Sequence, residues 1–573
     1  MRIAYLTSTA LLSATLFLSA CGGGGSPATS AEGAPARARG EETAPPLVQP
    51  GESARITPGE AARLAKQASF GPTSELIDHM VALGSAEAWI DQQFTLRSST
   101  YADIAAKPVG TNHCNGKTGQ ELTDCNRDNY SVVPMAMRFY ANAIGRDDQL
   151  RQRTAFALSQ ILVASDLEVH TTAGLATYNQ ILIDNALGNY RDLLAGITLN
   201  PFMGNFLDMG DSHKSTPNEN YARELMQLFS LGTALLNPDG TRQVDAAGAP
   251  LPAYSNADVK EVSRALTGWT WARLDGAPFS DYAKLDYTKP MVVNASRFDT
   301  GAKAFLGKTI PAGSSQQANV DAVLDAVFHH PNTGPFVCKR LIQQLVTANP
   351  TPAYVARVSA KFANNGAGVR GDMKAVIKAV LTDNEARAAS PFPGKVKEPV
   401  LLATSLARAI GFTSDGYALY TRDSAMGQRP FSAQSVFNYY PYDFPLPLGD
   451  GAVSPVSKLM TTSTSISRHN FIYDWTIAGE QTRGEFQPQA AIVGSTGTKL
   501  GWTTWEALAN NESQLLDRIN LLLLNSTMTA AQRQALSSAM AAFKNTDPAL
   551  QARRRAQVAL YVAASSPLFQ VDR

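Results

Sequence analysis

The sequence predicts an all-α fold: a large multi-helix globular domain with long loops and little β-structure. Apolar residues recur at helical spacing along most of the chain, whereas strand signals are confined to residues 291–293 and a few aromatic runs. With 44% hydrophobic and 17% charged residues among 573, the chain can bury a large core. No repeat of fixed period is visible, so we do not expect a solenoid.

The charge balance excludes one class of partner. The chain carries 50 Lys and Arg residues against 49 Asp and Glu residues, a formal net charge of +1. A protein that holds nucleic acid by neutralising its phosphates needs a clear basic excess or a basic stripe. We therefore expect no nucleic-acid partner.

Residues 1–20 are predicted to be a lipoprotein signal peptide. Arg2 supplies a positive start, and the apolar stretch that follows is too short to cross a bilayer, which takes about 20 apolar residues. Small residues just before Cys21 resemble the bacterial lipobox, in which the signal is cut before the cysteine and its thiol carries diacylglycerol. The alternative is an ordinary secretory signal with a cysteine nearby.

Residues 21–55 are predicted to be a flexible tether. They are rich in Gly, Ala, Pro and Ser and hold almost no large apolar side chains, so folding cannot offset the entropy of ordering them. Two acyl chains on Cys21 would attach the protein stably to a lipid bilayer. Gly22 after that cysteine resembles a sorting signal for the outer membrane, so we expect a lipid-anchored envelope protein of a Gram-negative bacterium.

The remaining cysteines fit an oxidising compartment. Cys114 and Cys125 bracket a polar loop without a core of its own, and we expect them to form a disulfide worth about 2 to 3 kcal/mol. The alternative is a metal site that includes His113, but two cysteines and one histidine are weak zinc spacing. Cys338 lies inside a helical pattern and is predicted to be a buried free thiol.

The helical body is predicted to span residues 56–573. A capping box at residues 57–60 begins its first helix, and residues 70–73 end that helix and start a second. Residues 150–163 are apolar nearly all around, which predicts a buried helix in which Arg151 and Arg153 need partners. Further helices are predicted at residues 178–187, 190–198, 220–231, 258–267, 318–328, 336–346, 352–362, 372–381, 399–410, 512–524 and 530–543.

The segments between and after these helices also carry predictions. Long loops are expected at residues 237–255 and 270–300. Residues 413–501 are rich in Gly, Ser, Thr, Pro and Tyr, which predicts a loop-rich wrap over the helices. A C-terminal helical segment is expected at residues 505–573.

The densest polar constellation lies at residues 217–229, on a predicted helix with one apolar and one polar sector. Spacing alone favours a solvated face with an ion pair between Glu219 and Arg223. The other interpretation is that carboxylates, an arginine and amides converge on a cavity, as acid/base chemistry requires. This candidate cluster contains Asn218, Glu219, Asn220, Arg223 and Glu224.

Asp258 falls in the middle of the apolar sector of the next predicted helix. An acid in the first turn gains from the helix dipole and can accept orphan backbone N–H groups, so capping is the default explanation. A partner such as Arg264, or an arginine of the buried helix, would instead make it part of an ionic network. The candidate cluster accordingly also contains Asp258, Arg264, Arg151 and Arg153.

A third candidate is the loop at residues 329–336, which ends in helix-start signals and precedes two cations. Positive side chains near a helix N-terminus oppose the dipole and suit a site that receives an anion. The alternative is that these side chains lie at the surface or extend over the core. The candidate anion site comprises His330, Lys339 and Arg340.

Familiar catalytic signatures are absent from the sequence. It contains no His-Glu-x-x-His, no Gly-x-Ser-x-Gly, no Walker loop and no dinucleotide-binding glycine fingerprint after a strand. An esterase-like block and a calcium-loop length within residues 208–219 lack the setting or the ligands that those motifs need. We therefore predict no metal and no cofactor, and we assign no catalytic residue.

Several segments together resemble the bacterial family called Domain of Unknown Function 1800, over about residues 61–468. As an ordered set they are quite specific, although singly only the block at residues 217–224 is. The resembling segments are Ala68-Ser69-Phe70-Gly71-Pro72-Thr73, residues 151–160, residues 217–224, Ser263-Arg264-Ala265-Leu266-Thr267-Gly268-Trp269, Lys395-Val396-Lys397-Glu398-Pro399, Gly427-Gln428 and Ser435-Val436-Phe437-Asn438.

The resemblance implies an exported and largely helical protein without an established activity. The family is often encoded beside a second exported family that resembles sulfatases and phosphatases. It usually has His-Asp-Thr-Gly where this chain has Phe298-Asp299-Thr300-Gly301, so a titratable group is lost beside Asp299 and Lys303.

Two functions follow as hypotheses. The first is a lipid-anchored binding or assembly protein of the cell envelope, whose partner would be another exported envelope protein. The alternative is an envelope enzyme, a hydrolase or transferase acting on a glycan or another polymer. It would use Glu219 or Glu224 as acid/base and would hold an anionic group with Arg223, Arg264 or Lys339, which requires these side chains to meet in one pocket.

Overall fold

Helices dominate the part of the chain that the computed structural model describes, which comprises residues 55–388, 394–446, 451–478 and 483–572. Strands are two or three residues long and form five antiparallel pairs there. The predicted all-α fold is thereby confirmed. The signal peptide, the acylation of Cys21 and nearly all of the tether lie outside the described residues, and those predictions stay untested.

The first half of the described chain is an array of short helices. Its strands β1 (Trp269–Thr270) to β4 (Val292–Val293) form two pairs, β1 with β4 and β2 (Ala272–Arg273) with β3 (Leu285–Asp286). The helices are α1 (Pro58–Ala68), α2 (Ser74–Leu83), α3 (Ala86–Gln93), α4 (Ala102–Ala105), α5 (Gly119–Tyr130), α6 (Val133–Gly145), α7 (Gln149–Ser159), α8 (Thr172–Asn185), α9 (Tyr190–Thr198), α10 (Pro201–Phe206), α11 (Asn220–Gln227) and α12 (Asn256–Ala265).

The second half continues in the same style. Its strand pairs are β5 (Lys303–Phe305) with β6 (Lys308–Ile310), β7 (Lys395–Val396) with β10 (Val571–Asp572), and β8 (Thr413–Ser414) with β9 (Thr498–Lys499). The helices are α13 (Gln316–His329), α14 (Thr333–Leu345), α15 (Pro352–Ala363), α16 (Met373–Thr382), α17 (Asn384–Arg387), α18 (Pro399–Ile410), α19 (Tyr417–Asp423), α20 (Thr462–Tyr473), α21 (Trp502–Leu508), α22 (Glu512–Leu522), α23 (Ala530–Ala542), α24 (Pro548–Ser565) and α25 (Pro567–Gln570).

Capping and burial explain the elements that matter for the sites below. Thr57 and Glu60 form the predicted capping box of α1. In α7, every residue from Gln149 to Leu158 is buried, as expected of a helix that is apolar nearly all around. One hydrophobic core runs through the helices from α1 to α25. Among the described helices, none is both long enough and apolar enough to cross a bilayer.

The disulfide between Cys114 and Cys125 is confirmed, with a Cα–Cα distance of 5.8 Å. Since both thiols are consumed, they cannot act with His113 as zinc ligands. The expected polar loop is wrong at its second cysteine, however, because Cys125 lies inside α5. It is the buried residue of an otherwise polar helix, so apolar periodicity could not reveal that helix. Cys338 is a free and buried thiol, as predicted.

Candidate functional site

A cavity of about 800 Å³ opens beside α14 and is called the outer cavity here. Its wall is built by α14, by the loop at residues 233–253 and by a segment around residues 436–443. Its charged lining residues are Asp239, Arg242, Lys339, Arg340 and Asp443.

Arg340 is the most constrained of these cations. Its guanidinium carbon lies 5.2 Å from the ring centre of Phe336 and 4.2 Å from that of Tyr442, and Nη1 donates to Gln343 Oε1 at 3.0 Å. Burial lowers its pKa, although an arginine remains charged in a protein. The guanidinium is therefore fixed beside the cavity by two aromatic rings and one amide.

Lys339 and Arg242 complete the cationic side of the wall. Burial lowers the pKa of Lys339, and repulsion from Arg340 and Arg242 adds to this effect. None of the three cations forms an ion pair with a carboxylate of the described residues, although Asp239 and Asp443 also line the cavity.

Local hydrogen bonds and a glycine turn fix the conformation of the loop that carries Arg242. Asp239 accepts hydrogen bonds from Thr241 N at 2.9 Å and Thr241 Oγ1 at 2.6 Å, and these bonds lower the pKa of Asp239. Gly240 has φ +74°, and a Cβ there would come within 2.9 Å of Val355 Cγ1. The turn therefore requires glycine, and it holds Asp239 in a local contact.

The candidate anion site divides in the structure. Lys339 and Arg340 line the outer cavity, but His330 is not among its lining residues. The helix begins at Thr333 rather than Phe336, so Lys339 lies six residues or about 9 Å beyond the helix start. The predicted helix start at Phe336 is therefore three residues late, and the two cations lie beyond the first turn of α14.

His330 belongs to a structural turn instead. Its Nδ1 accepts from the N–H of Asn332 at 3.1 Å, and its carbonyl accepts from Arg370 Nη2 at 3.2 Å. Buried Asn332 donates to the carbonyls of Leu231 and Ala234 at 3.0 and 2.8 Å, which anchors the loop of the outer cavity. The turn before α14 thus shapes the cavity without lining it with a histidine.

A buried amide and carboxylate network lies beneath the cavity and is called the inner network here. Gln160, which lines the cavity, donates to Glu398 Oε2 at 2.8 Å and accepts from Tyr440 OH at 3.1 Å and Asn438 Nδ2 at 3.2 Å. Gln428 donates to the same Glu398 oxygen at 2.7 Å. Glu398 is fully buried, and its Oε1 has no partner among the described residues.

Sequence reasoning missed the inner network, although a signal existed. Gln160, Glu398, Gln428 and Asn438 all stand in segments that resemble the family, yet none was assigned a role. They are scattered along the chain, with Gln160 and Glu398 separated by 238 positions. The resembling segments therefore mark a common buried network as much as a surface site.

The helix-face cluster takes the solvated arrangement that spacing favours. Glu219 Oε2 accepts from Arg223 Nη2 at 2.9 Å, and both side chains are more than one third exposed. Asn220 donates to Asp208 Oδ2 at 2.8 Å, and Asn218 Oδ1 accepts from the Asn220 N–H. The residues of α11 therefore satisfy one another locally at the surface.

Glu224 differs from its neighbours on α11. It is half-buried, and its Oε2 finds no partner among the described residues. Burial raises its pKa, while Arg223 opposes the rise. Neither Glu224 nor Arg223 is a lining residue of the outer cavity, to which α11 contributes Gln227.

Asp258 is the capping residue that the default explanation expects. It forms a capping box with Ser255, and its Oδ1 accepts from the Leu306 N–H at 2.7 Å. Burial opposes its ionisation, but these hydrogen bonds outweigh burial and lower its pKa.

Arg264 belongs to a separate group of charges. It contacts Asp299 Oδ2 at 2.9 Å and Glu261 Oε1 at 2.8 Å, and these bonds raise its pKa. Lys303 is buried over the ring of Phe298 at 5.1 Å and donates to the Asp299 carbonyl at 2.6 Å. The position where the family usually has histidine is thus packed against a lysine.

The two arginines of α7 also have separate surroundings. Arg151 donates to the carbonyls of Leu96 and Ile183 at 3.1 and 3.3 Å, and Arg153 donates to that of Gln344 at 2.7 Å. No hydrogen bond or ion pair of the described residues joins the Glu219, Asp258, Arg264 and α7 groups to one another. The polar candidates therefore form several local groups.

Comparison with known proteins places the chain in a sequence context. A family model described as "Protein of unknown function (DUF1800)" matches residues 63–571, nearly the whole described chain. No curated protein and no solved structure matches it. Among the described residues, no group of three or more His, Cys, Asp or Glu side chains is arranged to hold a metal ion.

Proposed function

The chain belongs to the DUF1800 family, and for this member we propose an exported, lipid-anchored envelope protein that binds an acidic segment of another exported protein. Export and anchoring are supported by the signal-like residues 1–20, the lipobox-like cysteine at Cys21 and the tether at residues 21–55. Gly22 supports sorting to the outer membrane of a Gram-negative bacterium.

The observation that carries binding is the set of cations in the outer cavity. Arg242, Lys339 and Arg340 face about 800 Å³ of open volume, and none has an ion-pair partner within the described ranges. Arg340 is held by Phe336 and Tyr442, so little of its freedom remains to be lost on binding. Such a preorganised guanidinium suits a carboxylate, which it can contact through two N–H groups.

The rest of the wall favours a polypeptide as the bearer of that carboxylate. Aliphatic and aromatic side chains line the cavity together with amides, and Phe437 leaves 57% of its surface exposed. Exposed apolar groups beside polar ones are typical of protein-binding surfaces. The apolar lining residues include Ile161, Leu228, Leu231, Phe336, Val355, Val436 and Phe437.

A direct binding experiment tests this function. Fluorescent peptides of alternating Glu and Leu are titrated with the full chain, and peptides of alternating Lys and Leu serve as the charge control. We expect the acidic peptide to bind more tightly, and Arg340→Met to weaken that binding by about tenfold through loss of one charged contact. Arg533→Met removes an exposed cation of α23 and is the matched control.

The same experiment has a cellular arm. A photo-crosslinking residue at Phe437 is expected to capture an envelope protein through an acidic segment, and Arg340→Met to abolish the crosslink. Equal binding of acidic and basic peptides, or an unchanged affinity of Arg340→Met, would contradict the proposal. Absence of any envelope protein among the crosslinked products would contradict the proposed class of partner.

Anchoring is tested separately, since binding does not depend on it. We expect Cys21→Ser to remove fatty-acid labelling and to move the protein from the membrane fraction to the soluble envelope fraction. The peptide affinity of the purified protein should stay unchanged. Membrane association that survives Cys21→Ser would contradict the lipid anchor and leave the binding result standing.

The alternative of an envelope enzyme rests on Glu224. Its half-buried carboxyl with a raised pKa is the kind of group that general acid/base chemistry uses. It forms no contact with Lys339 or Arg264 among the described residues, so the pocket that this alternative requires is not assembled from the predicted groups. Turnover of an envelope glycan that Glu224→Gln abolishes, at unchanged stability, would favour the enzyme.

A further inference from the structure

A second cavity lies within the helical body, lined by a different set of residues from the outer cavity, and is called the inner chamber here. Its volume is about 40 Å³. Helix α1 supplies Arg63 and Lys66 to its wall, α7 supplies Arg153, and β7 supplies Lys395. Four cations thus surround a space of a few water molecules.

The carboxylates of the wall are engaged elsewhere. Glu385 pairs with Arg357 Nη2 at 3.1 Å, and Asp572 pairs with Lys397 Nζ at 2.8 Å. Within the described ranges, no ion pair joins either carboxylate to one of the four chamber cations. The positive charge of the chamber is therefore not neutralised by direct pairing.

Arg153 is the group that points most clearly to a ligand. Only 1% of it is exposed, and its Nε and Nη1 find no acceptor among the described residues. A buried guanidinium with two idle donors is unusual, because buried polar groups are nearly always hydrogen-bonded. Arg153 lines the chamber, so an acceptor bound there would lie beside this incompletely bonded guanidinium.

The protein's own acceptors compensate only part of this charge. Arg153 Nη2 donates to the Gln344 carbonyl at 2.7 Å, and Lys395 Nζ donates to that same carbonyl. Gln344 lies at the C-terminus of α14, where a helix offers roughly half a negative charge. The buried carboxylate of Glu398 also attracts both cations, although no ion pair of the described residues joins it to either of them.

Burial weakens the protonation of both lysines of the chamber, against attraction from Glu398 at Lys395 and from Asp572 at both. Burial lowers the pKa of Lys66 to about 7, and the charges of Lys397 and Arg63 contribute to this shift. Burial lowers the pKa of Lys395 to about 8, with Arg153 contributing. A bound anion would reverse these shifts, since an opposite charge favours the protonated amine.

We propose that the inner chamber binds a small oxyanion of the phosphate or sulfate class, held by Arg153, Lys395 and Lys66. One buried water needs about 10 to 15 Å³ of such volume, so the chamber has room for about three water-sized groups. That size fits a free tetrahedral oxyanion and excludes a polymer. Guanidinium and ammonium groups are strong donors to its oxygens. The site is independent of the proposed function.

The test uses the full chain, prepared in chloride buffer without added phosphate. Phosphate and sulfate released on acid denaturation are measured first. The protein is then titrated with sodium phosphate and sodium sulfate against sodium chloride at matched ionic strength, by calorimetry and by its thermal midpoint. We expect a retained oxyanion at about one per chain, or an oxyanion-specific rise of the midpoint that chloride does not give.

Variants locate the effect. Arg153→Met and Lys395→Met should each weaken oxyanion affinity by about tenfold or more, since each removes a charged donor. Lys66→Met, which loses one hydrogen bond to Asn525, keeps the test open if either of the others fails to fold. Lys339→Met, in the outer cavity, should leave oxyanion affinity unchanged while it weakens binding of the acidic peptide.

Two results would overturn the proposal. One is a wild-type protein that retains no oxyanion and responds to phosphate, sulfate and chloride alike. The other is oxyanion binding that survives in all foldable chamber variants, which would place it at the surface. Loss of binding in Lys339→Met alone would likewise assign the oxyanion to the outer cavity and refute the chamber site.

Discussion

Two charged segments, both within family-like motifs, lie in opposite environments. On α11, Glu219 and Arg223 form an ion pair whose side chains are more than one third exposed. At β7 and the start of α18, Lys395 and Lys397 are buried and Glu398 has no exposed surface. Each motif carries three charged residues, and the shorter one, at residues 395–399, is the one that reaches the interior.

The difference shows which charged residues contribute most to the stability of the fold. The α11 pair is completed within one helix turn, so it needs nothing from the rest of the fold. Glu398 is completed only by Gln160 and Gln428, which arrive from α7 and from the segment after α19. A buried charge whose partners come from distant parts of the chain links those parts together. Its removal should therefore lower the free energy of unfolding more than removal of a surface charge.

The largest expected effect is that of Glu398→Ala. The substitution takes from the amides of Gln160 and Gln428 their charged acceptor, at 2.8 and 2.7 Å, and leaves them only the longer bonds to Gln344 and Gln160. It also removes a negative charge that attracts Arg153 and Arg468. We expect the free energy of unfolding to fall by about 3 to 5 kcal/mol, measured by urea denaturation. The matched control Glu219→Ala should lower it by less than about 1 kcal/mol. Equal losses would remove the contrast between the two segments.

A pH experiment tests the same contrast between buried and exposed charges with lysine residues. Burial, with the charges of Lys397 and Arg63, lowers the pKa of Lys66 from its ordinary 10.5 to about 7, against a weaker opposing effect of Asp572. Between pH 7 and the ordinary value, the unfolded chain therefore binds a proton that the folded chain has lost, and stability rises with pH.

For this lysine the gain should be roughly 2 kcal/mol between pH 7 and pH 9 in chloride buffer. It is measured as the difference between wild type and Lys66→Met in urea unfolding across that range. Lys378→Met, which removes a half-exposed partner of Asp91, should leave the wild-type pH dependence intact. A pH dependence that is the same in Lys66→Met would show that this buried lysine keeps its proton.

A smaller effect is expected where a charge caps a helix. Ser255→Ala removes the capping box that Ser255 forms with Asp258, and it should lower the free energy of unfolding by about 1 kcal/mol. Ser538→Ala, on the exposed face of α23, is the control and should be nearly neutral. A loss of stability as large as that of Glu398→Ala would show that Asp258 contributes to stability as much as a buried charge does.

The sequence predicted the elements whose signals are local. The bounds of α9 and α18 agree with their predictions, because apolar periodicity and the flanking Pro399 and Gly411 define them. Helix α5 is absent from the prediction because it buries only Cys125. Helix α24 falls in the predicted C-terminal helical segment, but its bounds were not predicted, because alanines form much of its buried face. Local patterns thus predict helices with a distinct apolar sector and overlook the others.

The sequence predicts neither the outer cavity, the inner network nor the inner chamber. Lys339 and Arg340 were singled out for their charge, but their place in a cavity depends on Tyr442 and Arg242 from other parts of the chain. The partners of Glu398 and Arg153 are likewise set by tertiary packing, which no spacing rule contains. A buried cation such as Arg153 looks the same in sequence as an exposed one.

The smallest effect tests the exposed side of the comparison. A double-mutant cycle of Glu219→Gln and Arg223→Met should give a coupling free energy of about 0.3 to 0.5 kcal/mol, because a half-exposed i,i+4 pair is solvated and screened. The coupling, measured by urea unfolding, should shrink further in 1 M salt, where the Debye length is about 3 Å. A coupling above about 2 kcal/mol that persists in salt would mean that the α11 pair is shielded from solvent like the buried contacts of Glu398. The cycle thereby decides whether exposure alone separates the two charged segments.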